Sequence, residues 1–417
     1  MQAMRFLPHV VAALLVGLAP LPAQRAEFWR CKHVLAEDGK SWRDDMVVVT
    51  VLDRIVEVRA VRDGDQFSRD FGERWLIPGL IDLHTHLLLQ PYDLEKWNDQ
   101  VRNDSDGLRT LRAVRFAENT LRAGFLAIRD LGTEGAGYAD VDLIKGMSEG
   151  RLRGPRLYPA TRAIVQRGRY GPEPNDPAVK KGAQCVAGID EIVAAVREQI
   201  EGGAAWIKVY ADYGYGPGGA VAPTFSLEEL QALCAEAKRL GRPVAAHAQT
   251  DEGMRRAVLA GVATIEHGAG GSEATFALMK QKGVVLCPCL AANEAIVRYA
   301  GHQGPIVERL NAARLGFQRA LAAGVTIACG SDAGVFTHGD NAHELELMVA
   351  YGMTPEQALR AATATAAKVL GADDLGVVKA GAHGFVVLDA DPLVDVAALR
   401  RVHAVVRETD ELMRKTW

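Results

Sequence analysis

The sequence predicts an α/β fold, a (β/α)8 TIM barrel with a small β-sandwich domain formed from both termini. Two observations predict the barrel. Eight short apolar segments each end in polar or glycine residues, as buried parallel strands do, and stretches with helical boundaries separate them. That alternation over about 300 residues is typical of a (β/α)8 barrel. A third observation predicts the second domain, because β-rich runs occupy 34–76 and return near the C-terminus.

The predicted barrel occupies residues 77–376, and the sandwich combines 25–76 with 377–417. Each predicted strand is apolar for several residues, and the polar residues that end it fall on one rim of the barrel. In chain order the eight predicted strands are 80–86, 125–131, 156–161, 205–211, 243–249, 262–268, 284–288 and 325–332.

Two of the predicted helices begin with a capping box, in which a Ser or Thr and the residue three positions on satisfy each other's backbone N–H groups. Ser226 and Glu229 form one such pair. Thr354 and Gln357 form the other, and the helix after them is predicted to run unbroken through 355–370. Helices of this kind cover the outside of a parallel barrel.

Composition and charge exclude several function classes. The formal net charge of −4 on 417 residues offers no basic stripe for nucleic acid or an acidic membrane. At the N-terminus Arg5 precedes an apolar run, 6–21, that is too short and too proline-broken to span a bilayer. With Ala23 after it, this run predicts a signal peptide over 1–24, hence a periplasmic or secreted protein without a stable membrane anchor. The six cysteines are scattered, and we expect most of them to be free buried thiols.

A pair of histidines ends the first predicted barrel strand. His84 and His86 are two residues apart, so on a strand they point to the same side about 7 Å apart, and one cation can take both imidazoles. The pair lies where barrel enzymes keep their chemistry, at the C-terminal rim. Surface and packed histidines produce the same spacing, so the other residues of the rim decide its meaning.

Three further polar residues end other predicted strands. His247 ends the fifth strand, His267 the sixth and Asp332 the eighth. Each alone has an ordinary explanation as a polar residue at a strand end. Because the C-terminal ends of barrel strands meet at one rim, all three are predicted to converge with the histidine pair. Imidazoles and a carboxylate in one place predict a metal site.

Lys208 lies inside an apolar predicted strand, where an unpaired ammonium is costly. Burial lowers the pKa of a lysine from about 10.4 and favours the neutral amine. A neutral amine can react with CO2 to give a carbamate, which is a carboxylate on a long arm and suits a bridge between two cations. A salt-bridged or snorkelling lysine is the ordinary alternative. The neighbouring metal-ligand candidates favour the bridge.

These residues carry a family resemblance. The block PGLIDLHTH, with Lys208, His247, His267 and Asp332 following in order, resembles the binuclear metal-dependent branch of the amidohydrolase superfamily. Segments such as WIKVYADYGYG and GSDAGVFTHGDNAHELELMVAYGMTPEQAL are similar to its prolidase-like and Xaa-Arg/Xaa-Lys dipeptidase group, whose exported relatives include ochratoxin-type amide hydrolases. The resemblance covers nearly the whole chain after 1–24. It departs from the family pattern near the C-terminus and at Cys289, where a Thr is more usual in the family.

The resemblance implies two divalent metal ions, and zinc is the default ion for such a set of histidines and carboxylates. The lysine is then carboxylated on its side-chain nitrogen and bridges the two ions. The implied ligands are His84, His86 and Asp332 for the buried ion, His247 and His267 for the exposed ion, and Lys208 for both.

The implied reaction is hydrolysis of an amide bond in a dipeptide or an N-acyl amino acid. A hydroxide between the two cations attacks the carbonyl, while Asp332 takes its proton and passes it to the leaving amine. A cyclic amide or lactone hydrolase at the same metals is an alternative that the pocket residues decide. A non-catalytic periplasmic binding protein on a degenerate barrel would lack ligands, and all six are present. A homo-oligomer agrees with the family.

Substrate recognition is less legible in the sequence. Tyrosines after the lysine strand would hang over the mouth of the barrel, where they can bind a tetrahedral intermediate or a carboxylate. Arginines in the loop after the third strand are the expected readers of a free carboxylate. The candidates are Tyr210, Tyr213, Arg167, Arg169, Tyr170 and His338.

Overall fold

The protein is described by a computed structural model over residues 26–52, 54–214, 220–301, 306–407 and 410–413. The predicted signal peptide lies outside these residues and stays a prediction. None of the described helices is both long and apolar enough to cross a membrane.

The strands are short and numerous, as a barrel with a small β domain requires. In chain order they are β1 (Ala26–Leu35), β2 (Trp42–Val51), β3 (Arg54–Ala60), β4 (Arg69–Asp70), β5 (Trp75–Pro78), β6 (Leu80–Thr85), β7 (Phe125–Asp130), β8 (Arg156–Pro159), β9 (Ile164–Gln166), β10 (Gln184–Val186), β11 (Ile207–Tyr210), β12 (Asp212–Gly214), β13 (Val221–Pro223), β14 (Val244–Ala248), β15 (Thr264–His267), β16 (Val285–Cys287), β17 (Phe385–Leu388), β18 (Val402–Arg407) and β19 (Asp410–Met413).

The helices lie mainly between the barrel strands. They are α1 (Trp97–Asn103), α2 (Asp106–Arg122), α3 (Ala139–Ser148), α4 (Gly188–Glu201), α5 (Leu227–Arg239), α6 (Asp251–Ala260), α7 (Glu273–Lys282), α8 (Leu290–Tyr299), α9 (Ile306–Ala323), α10 (His343–Ala350), α11 (Pro355–Ala361) and α12 (Ala364–Leu370), and a 3-10 helix covers Val396–Arg400.

The barrel is built from parallel strands whose faces are buried. β6, β7 and β8 pair side by side, and so do β11, β14, β15 and β16. The eighth predicted strand is reduced to an isolated bridge at Ile327, with another at Ala333 just past its end, but its backbone joins the seventh strand to the first. Leu286 N–H donates to the Thr326 carbonyl, and Leu83 N–H donates to the Cys329 carbonyl, both at 2.9 Å. Residues 326–329 therefore lie between β16 and β6, and the predicted barrel is confirmed.

The small β domain is one sheet formed from both ends of the chain. Its hydrogen-bonded order is β19-β18-β17-β5-β1-β2-β3, with β4 paired to β1. Trp29, Phe71 and Phe385 pack together in its core, and Trp29 and Phe71 stack with ring centroids 6.0 Å apart. Gly79 joins this sheet to the barrel. It approaches Leu126 so closely that an added Cβ would lie 2.6 Å from that side chain.

The helix predicted at 355–370 is broken in two, and this prediction was wrong. Both capping boxes form as expected, including the one between Thr354 and Gln357. The break comes where two carbonyls are used by the barrel: the Ala361 carbonyl accepts from Cys329 N–H at 3.0 Å, and the Ala362 carbonyl from Ile81 N–H at 2.7 Å. Carbonyls engaged by barrel strands turn away from their own helix, so α11 ends and α12 begins three residues later.

All six cysteines are free, and all except Cys185 are buried. The expectation of mainly free buried thiols is confirmed. Cys287 ends β16, whereas Cys289 has left the strand and precedes α8 with a left-handed backbone, φ 53°.

Candidate metal centre and active site

Five of the six predicted metal ligands lie at the C-terminal ends of barrel strands, Lys208 lies inside β11, and all six are buried. Their rings and charged groups lie close together. Ring centroids are 5.2 Å apart between His84 and His86, 5.4 Å between His84 and His267, and 4.5 Å between His247 and His267. The Lys208 amine lies 3.5 Å from the same cluster, at His84 Nε2.

Both histidines of the first strand have one ring nitrogen held by an acceptor. His84 Nδ1 lies 2.9 Å from a Glu266 carboxylate oxygen, and His86 Nδ1 lies 2.8 Å from the Gly132 carbonyl. Because a carbonyl and a carboxylate only accept, each Nδ1 carries the proton and donates it. Each Nε2 then faces Asp332, whose Oδ1 is 3.6 Å from His84 and 3.3 Å from His86. Metal-binding histidines are oriented in this way.

The residues fit a divalent cation. Ligand atoms of His84, His267, Cys289 and Asp332 all lie within 4.8 Å of one another. His267 Nδ1 is buried and has no hydrogen-bond partner in the described part of the chain. A buried imidazole nitrogen without a partner is costly, and a cation would satisfy it.

Three residues of the cluster have backbones in the left-handed region, which non-glycine residues rarely adopt. The values of φ are 71° for His267, 53° for Cys289 and 64° for Asp332. Each such conformation costs about 1–3 kcal/mol and is typically found at functional sites. The fold therefore holds these side chains in place at a cost in stability.

Burial and mutual charge shift the pKa values of the cluster in different directions. Burial, reinforced by Lys208, lowers the pKa of His84 to about 4. Burial would also lower the pKa of His86, but its hydrogen bond with Asp332 raises it to about 9. Asp332 is buried too, yet His84 and His86 hold its pKa at about 2. Burial lowers the pKa of Lys208 and favours its neutral amine. The neutral His84, the ionised Asp332 and the neutral amine suit a metal centre, and a cation that binds His86 would displace its proton.

The buried ion pair between Arg129 and Glu266 supports the cluster of metal-ligand candidates. The sequence analysis did not predict it. Glu266 accepts from Arg129 at 2.9 Å on one oxygen and from His84 at 2.9 Å on the other. Burial alone would raise the pKa of Glu266, but Arg129 and His84 hold it at about 2. Arg129 also donates to the Leu83 carbonyl at 2.6 Å, and its guanidinium lies 4.3 Å from the centre of the Trp206 ring. The ion pair keeps Glu266 ionised and thereby fixes the proton on His84 Nδ1.

Replacing Arg129 by methionine is expected to lower the free energy of unfolding by about 3–5 kcal/mol, because it leaves the buried Glu266 carboxylate without its cation. Urea unfolding at fixed metal concentration measures the loss. Arg255→Met is the matched control, since Arg255 pairs with Glu252 on the surface of α6, and its unfolding midpoint should barely move. Equal losses in the two variants would contradict a structural role for the buried pair.

A pocket of about 390 Å³ opens above the cluster. Three predicted substrate-binding tyrosines, Tyr170, Tyr210 and Tyr213, line it. The Tyr210 ring stacks on His247 with centroids 4.6 Å apart. Glu134 accepts from Tyr170 OH at 2.7 Å and also lines the pocket. The remaining wall is largely apolar or aromatic and includes Leu89, Tyr92, Trp97, Val221, Ile296 and Val335.

The other predicted substrate-binding residues are not among those that line this pocket. Arg167 pairs with Glu191 at the surface, and Arg169 is exposed. His338 lines a separate cavity and lies 2.9 Å from the Leu89 carbonyl through Nε2. It packs on Phe116 with ring centroids 4.5 Å apart.

Two charged pocket residues were missed by the sequence analysis. Glu134 comes four residues after the second barrel strand, so the rim rule that selected Asp332 could have found it. Arg309 lies in the first turn of α9 and has no feature in the sequence that distinguishes it from other helical arginines. Only the folding of α9 against the rim brings Arg309 to the pocket.

The sequence of the chain matches that of known amide hydrolases. The amidohydrolase family model matches residues 75–408. Ochratoxinase from Aspergillus niger is 32% identical over 371 residues, which cover 79% of this chain and 73% of that protein.

Two solved structures are similar over nearly the full length. A prolidase complexed with N-methylphosphonate-L-proline superposes with a TM-score of 0.83 at 28% identity, covering 94% of this chain and 100% of that one. A Xaa-Pro dipeptidase with bound methionine gives 0.81 at 27% identity, covering 92% and 98%. The chain therefore belongs to the amidohydrolase family, in the group that holds the prolidases and ochratoxinase, and is a hydrolase of amide carbon–nitrogen bonds.

Proposed function

We propose that this protein hydrolyses the amide bond of a dipeptide or an N-acyl amino acid with the help of two divalent cations, zinc by default for these ligands. One observation carries the proposal. His84 and His86 both direct Nε2 at Asp332, beside a buried lysine and a histidine nitrogen that has no partner among the described residues. Together with His247, these residues at and just below the C-terminal rim of a barrel support a binuclear hydrolase.

The proposed ligands follow the family pattern. His84, His86 and Asp332 would hold the buried cation, His247 and His267 the exposed one, and N-carboxylated Lys208 both. When bound, the cations lower the pKa of the attacking water and polarise the scissile carbonyl. Asp332 receives the proton of that water on a carboxylate oxygen and passes it to the leaving nitrogen.

The pocket walls supply the other contacts to the substrate. Tyr210, stacked on His247, is the proposed hydroxyl donor to the developing oxyanion, a role that it takes when its O–H turns away from Glu134, to which it donates at 3.3 Å. The aromatic and aliphatic wall excludes water and accommodates an apolar acyl group or side chain. The names of the relatives agree with this choice of substrates, since one is an ochratoxinase and two are a prolidase and a Xaa-Pro dipeptidase.

The test is metal content by mass spectrometry on the purified protein, together with hydrolysis of a panel of Xaa-Pro dipeptides, Xaa-Arg dipeptides and N-acyl amino acids. We expect close to two metals per chain and turnover that a chelator abolishes and added zinc restores. One metal or none, with chelator-resistant activity, would overturn the binuclear proposal. If the enzyme hydrolyses a cyclic amide or a lactone but none of the panel substrates, the same metal centre acts on that other substrate class.

A further inference from the structure

Arg309 lines the same pocket as the proposed metal ligands and is fixed there by a neutral partner. Its Nε donates to the Asn293 side-chain oxygen at 2.7 Å. Asn293 in turn donates to the Cys289 carbonyl at 2.8 Å, directly at the barrel rim. The guanidinium is therefore held by one edge, while the rest of its N–H groups are left for another partner.

No carboxylate pairs with Arg309 within 4.0 Å in the described ranges, and its single hydrogen bond distinguishes it from two buried arginines that have several partners. Arg129 is paired with Glu266. Arg109 donates to three backbone carbonyls, those of Leu88, Thr133 and Glu134. Arg309 is thus a pocket cation whose guanidinium contacts no carboxylate among the described residues.

The surroundings of Arg309 strengthen its attraction for an anion. Burial lowers the pKa of its guanidinium, and nearby Asp332 opposes that change only in part. Tyr92, Tyr213 and Ile296 line the same pocket. In such a low-dielectric wall a hydrogen-bonded ion pair is stronger than in water, and an unpaired cation is costly.

The other charged wall of the pocket is unsuited to an anion. Glu134 accepts from Trp97 at 3.0 Å, from Tyr170 at 2.7 Å and from Tyr210 at 3.3 Å. Beside the Glu134 carboxylate, a second carboxylate would meet like-charge repulsion. A substrate that carries a carboxylate must direct it away from Glu134, and Arg309 is the cation available.

We propose that Arg309 is the specificity-determining residue that binds the free α-carboxylate of the amino acid on the leaving side of the scissile amide. The preferred substrates are then amides whose leaving amine is an amino acid with an unblocked carboxylate, and C-terminal carboxamides and esters are discriminated against. Planar guanidinium and carboxylate groups match in a bidentate pair, which lysine cannot reproduce. This inference rests on the proposed amide hydrolysis and names the part of the substrate that the pocket recognises.

The first experiment compares paired substrates. The best panel substrate and its C-terminal carboxamide are hydrolysed by the wild type, Arg309→Met and Arg309→Lys, with metal content measured for each. We expect the wild type to prefer the acid by about 100-fold in kcat/KM. In Arg309→Met, kcat/KM for the acid should fall until the preference is lost, while kcat/KM for the carboxamide and the metal content stay unchanged. Arg309→Lys should retain part of the preference for the acid.

The second experiment measures binding without turnover. Calorimetry measures the dissociation constants of N-methylphosphonate-L-proline, N-methylphosphonate-L-phenylalanine and the carboxamide of each. The wild type should bind at least one acid about 100-fold more tightly than its amide, and Arg309→Met should bind both forms alike. Arg298→Met, an exposed arginine of α8, is the control and should keep the wild-type ratio.

The outcomes separate the two proposals. If no panel substrate is hydrolysed, the proposed function fails, while the binding ratio still tests Arg309. An unchanged acid-to-amide ratio in Arg309→Met, an equal loss on both forms, or the absence of binding of all four compounds to the wild type would overturn the role of Arg309. Loss of the ratio in Arg167→Met instead would overturn it in favour of the arginine loop after the third barrel strand.

Discussion

Replacing Lys208 by alanine is expected to remove most of the bound metal and to lower turnover by about 1000-fold or more, because a lost cation takes with it several kcal/mol of charge stabilisation in the transition state. Lys208 is 1% exposed on β11, and its amine has no carboxylate within 4.0 Å in the described ranges. Burial lowers its pKa, so the neutral amine is favoured. The neutral nitrogen attacks CO2, one N–H proton leaves, and a carbamate results.

Two measurements check this expectation apart from activity. Protein equilibrated with 13C-labelled bicarbonate should give a carbamate carbon signal in NMR that is absent in Lys208→Ala. Acetate or propionate, which fit the space that the side chain leaves, should restore part of the metal content of the variant. Lys238→Ala, an exposed residue of α5, is the matched control and should behave as the wild type. Full metal content and full activity in Lys208→Ala would sink the bridging role.

The clustering of three histidines at the rim illustrates what the sequence could predict. Strand periodicity puts residues two apart on one side and ends every barrel strand at the same rim. Local patterns therefore sufficed to expect His84, His86 and His267 in one place, and the structure brings them together. The same logic did not reach Glu266, one residue before His267. Its side chain reaches His84 Nδ1 only because β15 lies across the barrel from β6.

Features that depend on long-range contacts were beyond the sequence. The helix at 355–370 has an unbroken apolar period, and its break arises from carbonyls that accept bonds from Ile81 and Cys329, both distant in the chain. Arg309 is similar, since only the packing of α9 turns one arginine among many into a pocket residue. Helix propensity and apolar periodicity are properties of one segment. Which donor a carbonyl accepts from, and which residues line a pocket, depend on the segments packed against it.

Replacing Asp332 by asparagine is expected to lower kcat by about 100- to 10,000-fold with a smaller change in KM. The amide keeps the size of the carboxylate but cannot accept the proton of the attacking water or pass it on. Its oxygen can still lie near His84 Nε2 and His86 Nε2, now 3.6 Å and 3.3 Å from Asp332 Oδ1. Steady-state kinetics on the best panel substrate, with metal content measured in parallel, separate proton transfer from metal loss.

Asp389→Asn is the matched control. The Asp389 carboxylate pairs with Arg74 in the small β domain, so its replacement should leave kcat unchanged. A leaving group that needs no proton gives a second, sharper comparison. With an activated anilide in place of an alkyl amide, the deficit of Asp332→Asn should shrink, because the nitrogen departs with less help from an acid. An equal deficit on both leaving groups, with both metals retained, would limit Asp332 to activating the water and remove its role as the proton donor to the amine.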